Sequence, residues 1–173
     1  MLGFGSSGPV RGRAESELAC AQAKVFEFVG FGFFENYEKW CPQVVELEPL
    51  TETPIRKGMR GRQVTLDRGI RSESTFEVVA FAPCERLEIG GLSERFRSSY
   101  EFEATEAGKT RIAFTFELEE IDLVMRPFQK LIKAALQEGA AQTVENIGAL
   151  LEDGEGPAKS APSMPENSLA ERL

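Results

Sequence analysis

Residues 96–118 alternate between apolar and polar side chains, the pattern of two long half-buried β-strands. The turn residues 106–109 separate the two runs. Apolar positions then recur every three or four residues up to about residue 152, which predicts a long amphipathic helix. The apolar face of the strands needs a cover, and the helix supplies it. The pattern therefore predicts a curved antiparallel sheet closed over one C-terminal helix, an arrangement that can enclose a space.

The earlier part of the chain predicts five more strands and two short helices. Turn residues such as Arg68-Gly69 and Pro83-Cys84 separate runs that are too closely spaced for parallel crossovers, so all seven strands should pair antiparallel. The predicted fold is α+β, with two short helices after the first strand. The predicted elements are a strand at 13–19, helices at 21–29 and 33–40, and strands at 44–50, 58–67, 70–81 and 87–92.

The composition of the two ends predicts one folded domain with flexible flanks. Gly and Ser dominate residues 1–12, which we expect to form a flexible leader. Gly, Pro, Ser and Glu dominate residues 153–173, which we expect to form a disordered tail. Residues 13–152 then form a single domain, because a chain of 173 residues is long enough for one substantial core.

The ionisable residues exclude several classes of function. The chain has 20 Lys and Arg against 28 Asp and Glu, which argues against a nucleic-acid partner. It has no histidine, so the usual general base and most zinc sites are excluded. Its three cysteines lack CxxC spacing, and no segment has the apolar length of a signal peptide or membrane span. We therefore expect a cytoplasmic protein without a metal or cofactor; the sequence leaves its oligomeric state undetermined and gives no indication of membrane contact.

The inward faces of these elements carry aromatic rings and a few hydroxyl groups, the composition of a small-molecule pocket. The alternatives are an ordinary aromatic core, and polar groups that reach solvent. Around Gly139 the small helix residues either let the helix sit close to the sheet or leave a void beneath it. The predicted ligand-contacting residues are Phe33, Trp40, Ser74, Phe76, Val78, Phe96, Ser98, Tyr100, Phe102, Phe114, Phe116, Phe128, Leu131, Ala135 and Gly139.

The strand at 58–67 has no unambiguous inward face. Val64 and Leu66 share one face with Arg60 and Arg62, whereas smaller and polar residues form the other. If the first face is inward, Arg62 could anchor an anionic group of a ligand. The alternative is a solvated, charged outer face in which the basic residues between 56 and 71 pair with glutamates.

Several local sequences carry a resemblance to a known family. They are Ala23-Lys24-Val25-Phe26-Glu27-Phe28-Val29, Asn36-Tyr37-Glu38-Lys39-Trp40-Cys41-Pro42 leading to Val44, Gly58, Pro83, Gly108-Lys109-Thr110-Arg111 and Pro127-Phe128. Together with the order of elements, they resemble the START-like superfamily of helix-grip proteins (the Bet v 1 fold), in particular its polyketide cyclase/dehydrase and lipid-transport branch, called SRPBCC. The resemblance covers residues 13–152 and rests on packing and turn residues, so it specifies the fold better than the function.

The resemblance implies a cavity between sheet and helix that holds a lipid, quinone or polyketide-like ligand. Because no catalytic constellation is visible, the sequence favours a binding module over an enzyme. One alternative is a cyclase or dehydratase without metal or cofactor, in which Tyr100 or Arg62 polarises a polyketone. Another is a quinone chaperone or docking module, in which the basic stretch and the aromatic end contact a membrane or a protein partner.

Overall fold

The computed structural model describes residues 8–153 and contains the seven strands, two short helices and long helix that the hydrophobic pattern predicts. A π-helical turn, Glu27–Phe31, joins the short helices, and a 3₁₀ turn, Leu123–Phe128, leads into the long one. The elements are β1 (Val10–Leu18), α1 (Gln22–Phe26), α2 (Phe33–Trp40), β2 (Val44–Pro49), β3 (Arg60–Asp67), β4 (Ile70–Ala82), β5 (Arg86–Gly91), β6 (Phe96–Glu106), β7 (Lys109–Leu118) and α3 (Gln129–Glu152).

The first strand is longer than its alternation predicts. β1 begins at Val10, within the segment predicted to be a flexible leader, and Val10 pairs with Leu118 of β7. The rest of the predicted leader falls mainly on residues 1–7, and the predicted tail falls on residues 154–173 apart from Asp153. Residues 1–7 and 154–173 lie outside the described part of the chain.

All seven strands form one antiparallel sheet in the order β1-β7-β6-β5-β4-β3-β2. The long β6–β7 pair contributes aromatic side chains to its inner face, where Tyr100 lies opposite Phe114 with ring centroids 4.7 Å apart. Register shifts in β2, β4 and β6 interrupt the ladders, and such bulges bend strands. The sheet therefore curves around its inner face, as predicted.

The β3–β4 hairpin shows how the turn chemistry sets the register. Arg68 and Gly69 form its two-residue turn, with φ of 49° and 82°. Two consecutive positive φ values match the twist of the flanking strands, and the second costs little because glycine has no Cβ. The resulting register pairs Gln63 with Ser74 across the two strands.

Helix α3 rests on edge strand β1 through a very close contact. An added Cβ at Gly12 would lie 2.2 Å from the carbonyl carbon of Leu136, so only glycine allows the helix backbone to come this near. Next to it, the Gln137 side-chain amide donates to the Arg13 carbonyl at 2.6 Å and accepts from the Arg13 N–H at 3.1 Å. The helix thus covers the edge of β1 and satisfies part of its backbone.

Only the second half of α3 is buried in the core. Ala140, Val144, Ile147, Gly148 and Leu151 face the sheet and the short helices. At the N-terminal end the exposed fractions are 50% for Phe128 and 69% for Leu131. The prediction that these two residues face the interior is therefore wrong. This end of the helix extends beyond the ends of the strands and has no sheet beneath it.

The Gly12 contact gives a direct test of how closely α3 packs on β1. We expect Gly12→Ala to lower the free energy of unfolding by about 1–3 kcal/mol, because the new methyl group collides with helix backbone that cannot move aside cheaply. Gly139→Ala is the matched control: nothing lies within 4 Å of its added Cβ, and alanine in a helix is favoured by about 1 kcal/mol. Urea denaturation of the two variants should give shifts of opposite sign, and equal shifts would contradict the assignment.

Candidate ligand-binding cavity

A cavity of about 410 Å³ lies between the inner face of the sheet and the middle of α3. Its inner end is formed by buried residues of α2, β3, β4, β6 and β7, and its outer end opens to solvent. The lining residues are Tyr37, Trp40, Cys41, Pro42, Gln43, Val44, Gln63, Thr65, Asp67, Ser72, Ser74, Glu94, Phe96, Tyr100, Phe114, Phe116, Ala135, Leu136, Gly139, Ala140, Gln142, Thr143 and Asn146.

The inner wall is built around Trp40 and Tyr100. The indole Nε1–H of Trp40 donates to the Tyr100 hydroxyl oxygen at 3.2 Å, and both side chains are almost completely buried. Asn146 of α3 donates to the Trp40 carbonyl at 3.0 Å, which ties the end of α2 to the helix above it. The Trp40 N–H is thereby satisfied and the Tyr100 oxygen has a partner, so the two rings can form a largely apolar wall at a reduced desolvation cost.

The phenols of the cavity are neutral. Burial raises the pKa of Tyr100, although the hydrogen bond from Trp40 acts in the opposite direction. Burial is also the main reason that the pKa of Tyr37 lies well above its ordinary value. The Cys41 thiol beside Tyr37 has a raised pKa, again through burial. The inner end of the cavity therefore presents uncharged hydroxyl and thiol groups.

The inward face of β3 is its polar face. Gln63 and Thr65 line the cavity, and the Gln63 side-chain amide donates to the Ser74 hydroxyl at 3.1 Å. This bond satisfies the buried serine that the alternation of β4 places inside. The pair supplies a small polar spot on an otherwise largely apolar wall.

Arg62 lies on the opposite face of β3, outside the cavity. Its Nε and Nη2 donate to the two carboxylate oxygens of Glu73 at 2.8 and 2.9 Å, and Nη1 contacts Glu46 at 3.2 Å. These hydrogen bonds lower the pKa of the Glu73 carboxyl. The hypothesis that Arg62 anchors a ligand or polarises a substrate is therefore wrong, and the alternative of a charged outer face paired with glutamates is confirmed for this residue.

The mouth of the cavity lies between the β3–β4 hairpin, the β5–β6 loop and the first half of α3. Exposed Asp67 and Glu94 lie on the sheet side, and exposed Ala135 and Gly139 lie on the helix side. An added Cβ at Gly139 would find open space. Of the two explanations for the small residues of α3, the void is correct at Gly139, whereas the close contact is made by Gly12.

The predicted site residues separate into three groups. Those that line the cavity are Trp40, Ser74, Phe96, Tyr100, Phe114, Phe116, Ala135 and Gly139. Those that are buried but do not line it are Phe33, Phe76, Val78, Ser98 and Phe102. Those that are exposed are Phe128 and Leu131. The placement of the second and third groups contradicts their predicted contact with a ligand in this cavity.

Phe33 illustrates why the second group was misassigned. Its ring stacks on Tyr37 at 4.6 Å and meets Phe34, Trp40 and Phe76 edge-on. It therefore fills the core behind Trp40, which is the alternative interpretation of the aromatic cluster. Helical spacing cannot distinguish the ring that faces the cavity from the ring behind it.

The cavity includes residues that the sequence analysis did not assign to it. Tyr37, Cys41 and Val44 come from the segment around Trp40, and proximity in sequence was the available signal. Gln63 and Thr65 belong to the strand whose inward face was ambiguous. Thr143 falls on the predicted inward stripe of α3 with Gly139 but was not assigned to the ligand, and the polarity of Asn146 concealed its position on that side of the helix.

Two classes of feature do not occur among residues 8–153. No group of three or more Cys, Asp or Glu side chains in this region is arranged to hold a metal ion. None of its helices is both long enough and apolar enough to cross a membrane.

Residues 9–152 match the family described as "Polyketide cyclase / dehydrase and lipid transport". The chain belongs to this family. The SRPBCC resemblance drawn from the local sequences is thereby confirmed. No curated protein sequence matches the chain significantly.

Solved structures from bacteria and a plant share the fold at low identity. TTHA0849 from Thermus thermophilus is 16% identical with a TM-score of 0.66, covering 84% of this chain and 99% of its own. A START superfamily protein from Mycobacterium smegmatis is 15% identical with a TM-score of 0.65, over 82% and 99%. Ginseng major latex-like protein 151 from Panax ginseng is 9% identical with a TM-score of 0.63, over 83% and 97%. The helix-grip, START-like fold is thus confirmed.

The two tyrosines make the inner end of the cavity observable by alkaline titration, since the chain contains no others. An unfolded tyrosine has a pKa of about 10. Because burial raises both pKa values in the folded state, the stability contributed by the neutral phenols is complete below pH 10 and is lost as the pH rises past it. We expect tyrosinate absorbance to appear only together with unfolding, as followed by circular dichroism. A tyrosine that titrates near pH 10 in the folded protein would contradict this geometry.

Proposed function

We propose that this domain binds one neutral hydrophobic or amphipathic molecule, such as a quinone, a polyketide-like compound or an uncharged lipid. The observation that carries the proposal is the cavity of about 410 Å³ between sheet and helix, with an apolar inner wall and a few uncharged polar groups. Its volume falls within the range of small-molecule sites, roughly 300–1,000 Å³. The membership of the chain in a family of cyclases, dehydrases and lipid-transport proteins supports a ligand of this kind.

The charges around the cavity favour a neutral guest. None of the described lining residues is Lys or Arg, and Arg62 pairs with glutamates on the outer face. Asp67 and Glu94 at the mouth oppose an anionic head group. A fatty-acid carboxylate would therefore lose its hydration without gaining a counter-ion, which is costly.

The hydrogen bonds of the inner wall favour a guest that carries a carbonyl oxygen. The Tyr100 oxygen accepts from Trp40, and no described residue accepts the Tyr100 hydroxyl proton. That proton is available for a ketone or quinone oxygen in the cavity. The Gln63–Ser74 pair offers a second polar contact on the wall.

The single tryptophan provides the assay, because Trp40 lines the cavity and is the only one in the chain. We expect decylubiquinone to quench its fluorescence with saturation at one molecule per chain. Gly139→Phe, which places a ring at the open mouth, should weaken this binding at least tenfold. Ala141→Phe, on the exposed side of the same helix, is the matched control and should leave the affinity unchanged.

Competition with dodecanol and laurate tests the preference for a neutral head group, since the two have equal chain lengths. Dodecanol should displace the quinone at a lower concentration than laurate does. Native mass spectrometry after incubation with lipid and quinone extract then identifies the retained species. Equal quenching in the two phenylalanine variants, or consistently empty protein, would overturn the proposal.

A cyclase or dehydratase activity is the second candidate, and it is favoured by the Tyr100 hydroxyl group, whose O–H has no acceptor among the described residues. A phenol held neutral by burial can donate a hydrogen bond to a developing enolate oxygen. We expect Tyr100→Phe to abolish turnover of an aromatic polyketide precursor while decylubiquinone affinity changes only a few-fold. The variant should also lose about 1–3 kcal/mol of stability, since the Trp40 N–H loses its acceptor. Unchanged turnover in Tyr100→Phe would exclude this mechanism.

A further inference from the structure

The segment that leads into α3 exposes an unusual number of apolar side chains. Residues 123–133, hereafter the docking segment, comprise the 3₁₀ turn and the first turn of α3. The exposed fractions are 67% for Leu123, 81% for Val124 and 69% for Leu131, and Met125 and Phe128 are also exposed. Single exposed apolar residues are common, but five within nine positions form a contiguous patch of the kind that marks interaction surfaces.

The docking segment is also basic in an otherwise acidic protein. It contains Arg126, Lys130 and Lys133, and no Asp or Glu occurs from residue 123 to residue 137, although the chain has a net charge of −8. No ion pair within residues 8–153 involves these three cations. By contrast, Arg62 and Arg97 on the sheet each pair with glutamates. Lys130 and Lys133 are exposed, whereas Arg126 is half-buried. The segment therefore offers unneutralised positive charge beside exposed apolar surface chiefly through its two lysines.

The docking segment continues directly into the mouth of the cavity. Leu131 and Ala135 lie one helical turn apart on the same stripe of α3, about 6 Å along its axis, and Ala135 lines the cavity. Phe96 and Phe116, near the end of the sheet from which the 3₁₀ turn departs, line the cavity as well. A molecule that passes along this stripe would move between the docking segment and the inner wall.

We propose that the docking segment binds the surface of an anionic bilayer, with its apolar side chains at the headgroup boundary and its cations against the lipid phosphates. Amphipathic segments with apolar residues and unpaired Lys and Arg bind membranes in this way. The cavity mouth then lies beside the membrane, so the membrane is the source or destination of the guest. This last step rests on the proposed function; the docking itself does not.

The charges favour a bilayer over a second copy of this chain. In a symmetric dimer through the same patch, the cations of one copy would meet those of the other at short range. The remaining surface of a second copy is acidic but carries its own arginine–glutamate pairs. An anionic bilayer supplies both an apolar layer and a dense array of negative charge.

Vesicle flotation of the full chain tests the proposal. We expect the protein to float with vesicles that contain phosphatidylglycerol and not with vesicles of phosphatidylcholine alone, and to be released by high salt. Lys130→Ala/Lys133→Ala should weaken binding roughly 30-fold, because each surface cation contributes about 1 kcal/mol. Val124→Ser/Leu131→Ser should weaken it at least tenfold, and both substituted sites are exposed enough to leave the fold intact.

Matched control pairs distinguish this surface from the basic stretch between 56 and 71. Lys57→Ala/Arg60→Ala removes the same number of positive charges as the lysine pair. Leu50→Ser/Ile70→Ser removes two exposed apolar side chains outside the docking segment. Both pairs should float like the unmodified protein. Loss of flotation only in these controls, or no flotation of the unmodified protein, would overturn the proposal. A dimer in light scattering that dissociates in Val124→Ser/Leu131→Ser, without flotation, would assign the patch to a second copy instead.

Decylubiquinone quenching of Trp40 in buffer separates the two proposals. The docking variants should bind the quinone as the unmodified protein does, because their substitutions do not line the cavity. Flotation without quinone binding would refute the proposed function and leave the docking surface supported. Quinone binding without flotation would refute the docking surface and leave the proposed function supported.

Discussion

The seat of α3 on β1 is the constraint on which the rest of the structure depends. Gly12 lets the helix backbone come into contact with the edge strand, and Gln137 fixes the two together through the main chain of Arg13. From this point to its C-terminus the helix packs on the core through side chains such as Val144 and Ile147. The contact lies at one edge of the sheet, and toward the other edge the cavity separates the helix from β3.

The cavity and the exposed segment are both consequences of this one-sided support. Where the sheet curves away, the small side chains of Ala135 and Gly139 leave the space open, and Trp40 and Tyr100 form its inner end. Where the helix extends past the sheet, Leu131 and its neighbours have nothing to pack against. The contact of α3 with β1 thus leaves the cavity and the exposed apolar segment next to each other along the same side of the helix.

Sequence periodicity predicted the faces of the elements but not the extent of their burial. In β6 and β7 the alternation correctly placed Tyr100 and Phe114 inside, because both neighbouring strands constrain which way a residue points. In α3 the period identified the correct stripe and wrongly included Phe128 and Leu131 in the interior, since no local pattern records where the sheet ends. In β3 the pattern left the inward face undecided, because the outer face carries Val64, which is fully buried on the same side as the Arg62–Glu73 ion pair.

The chemistry of the inner wall limits how the protein could respond to its surroundings. The chain has no histidine, and burial keeps the hydroxyls of Tyr37 and Tyr100 and the thiol of Cys41 protonated. The inner end of the cavity therefore keeps the same charge across the physiological pH range. A change of pH within this range therefore cannot control ligand binding or release by titrating a group at the inner end. Any such control must act through the rim, through the guest itself or through movement of the helix above it.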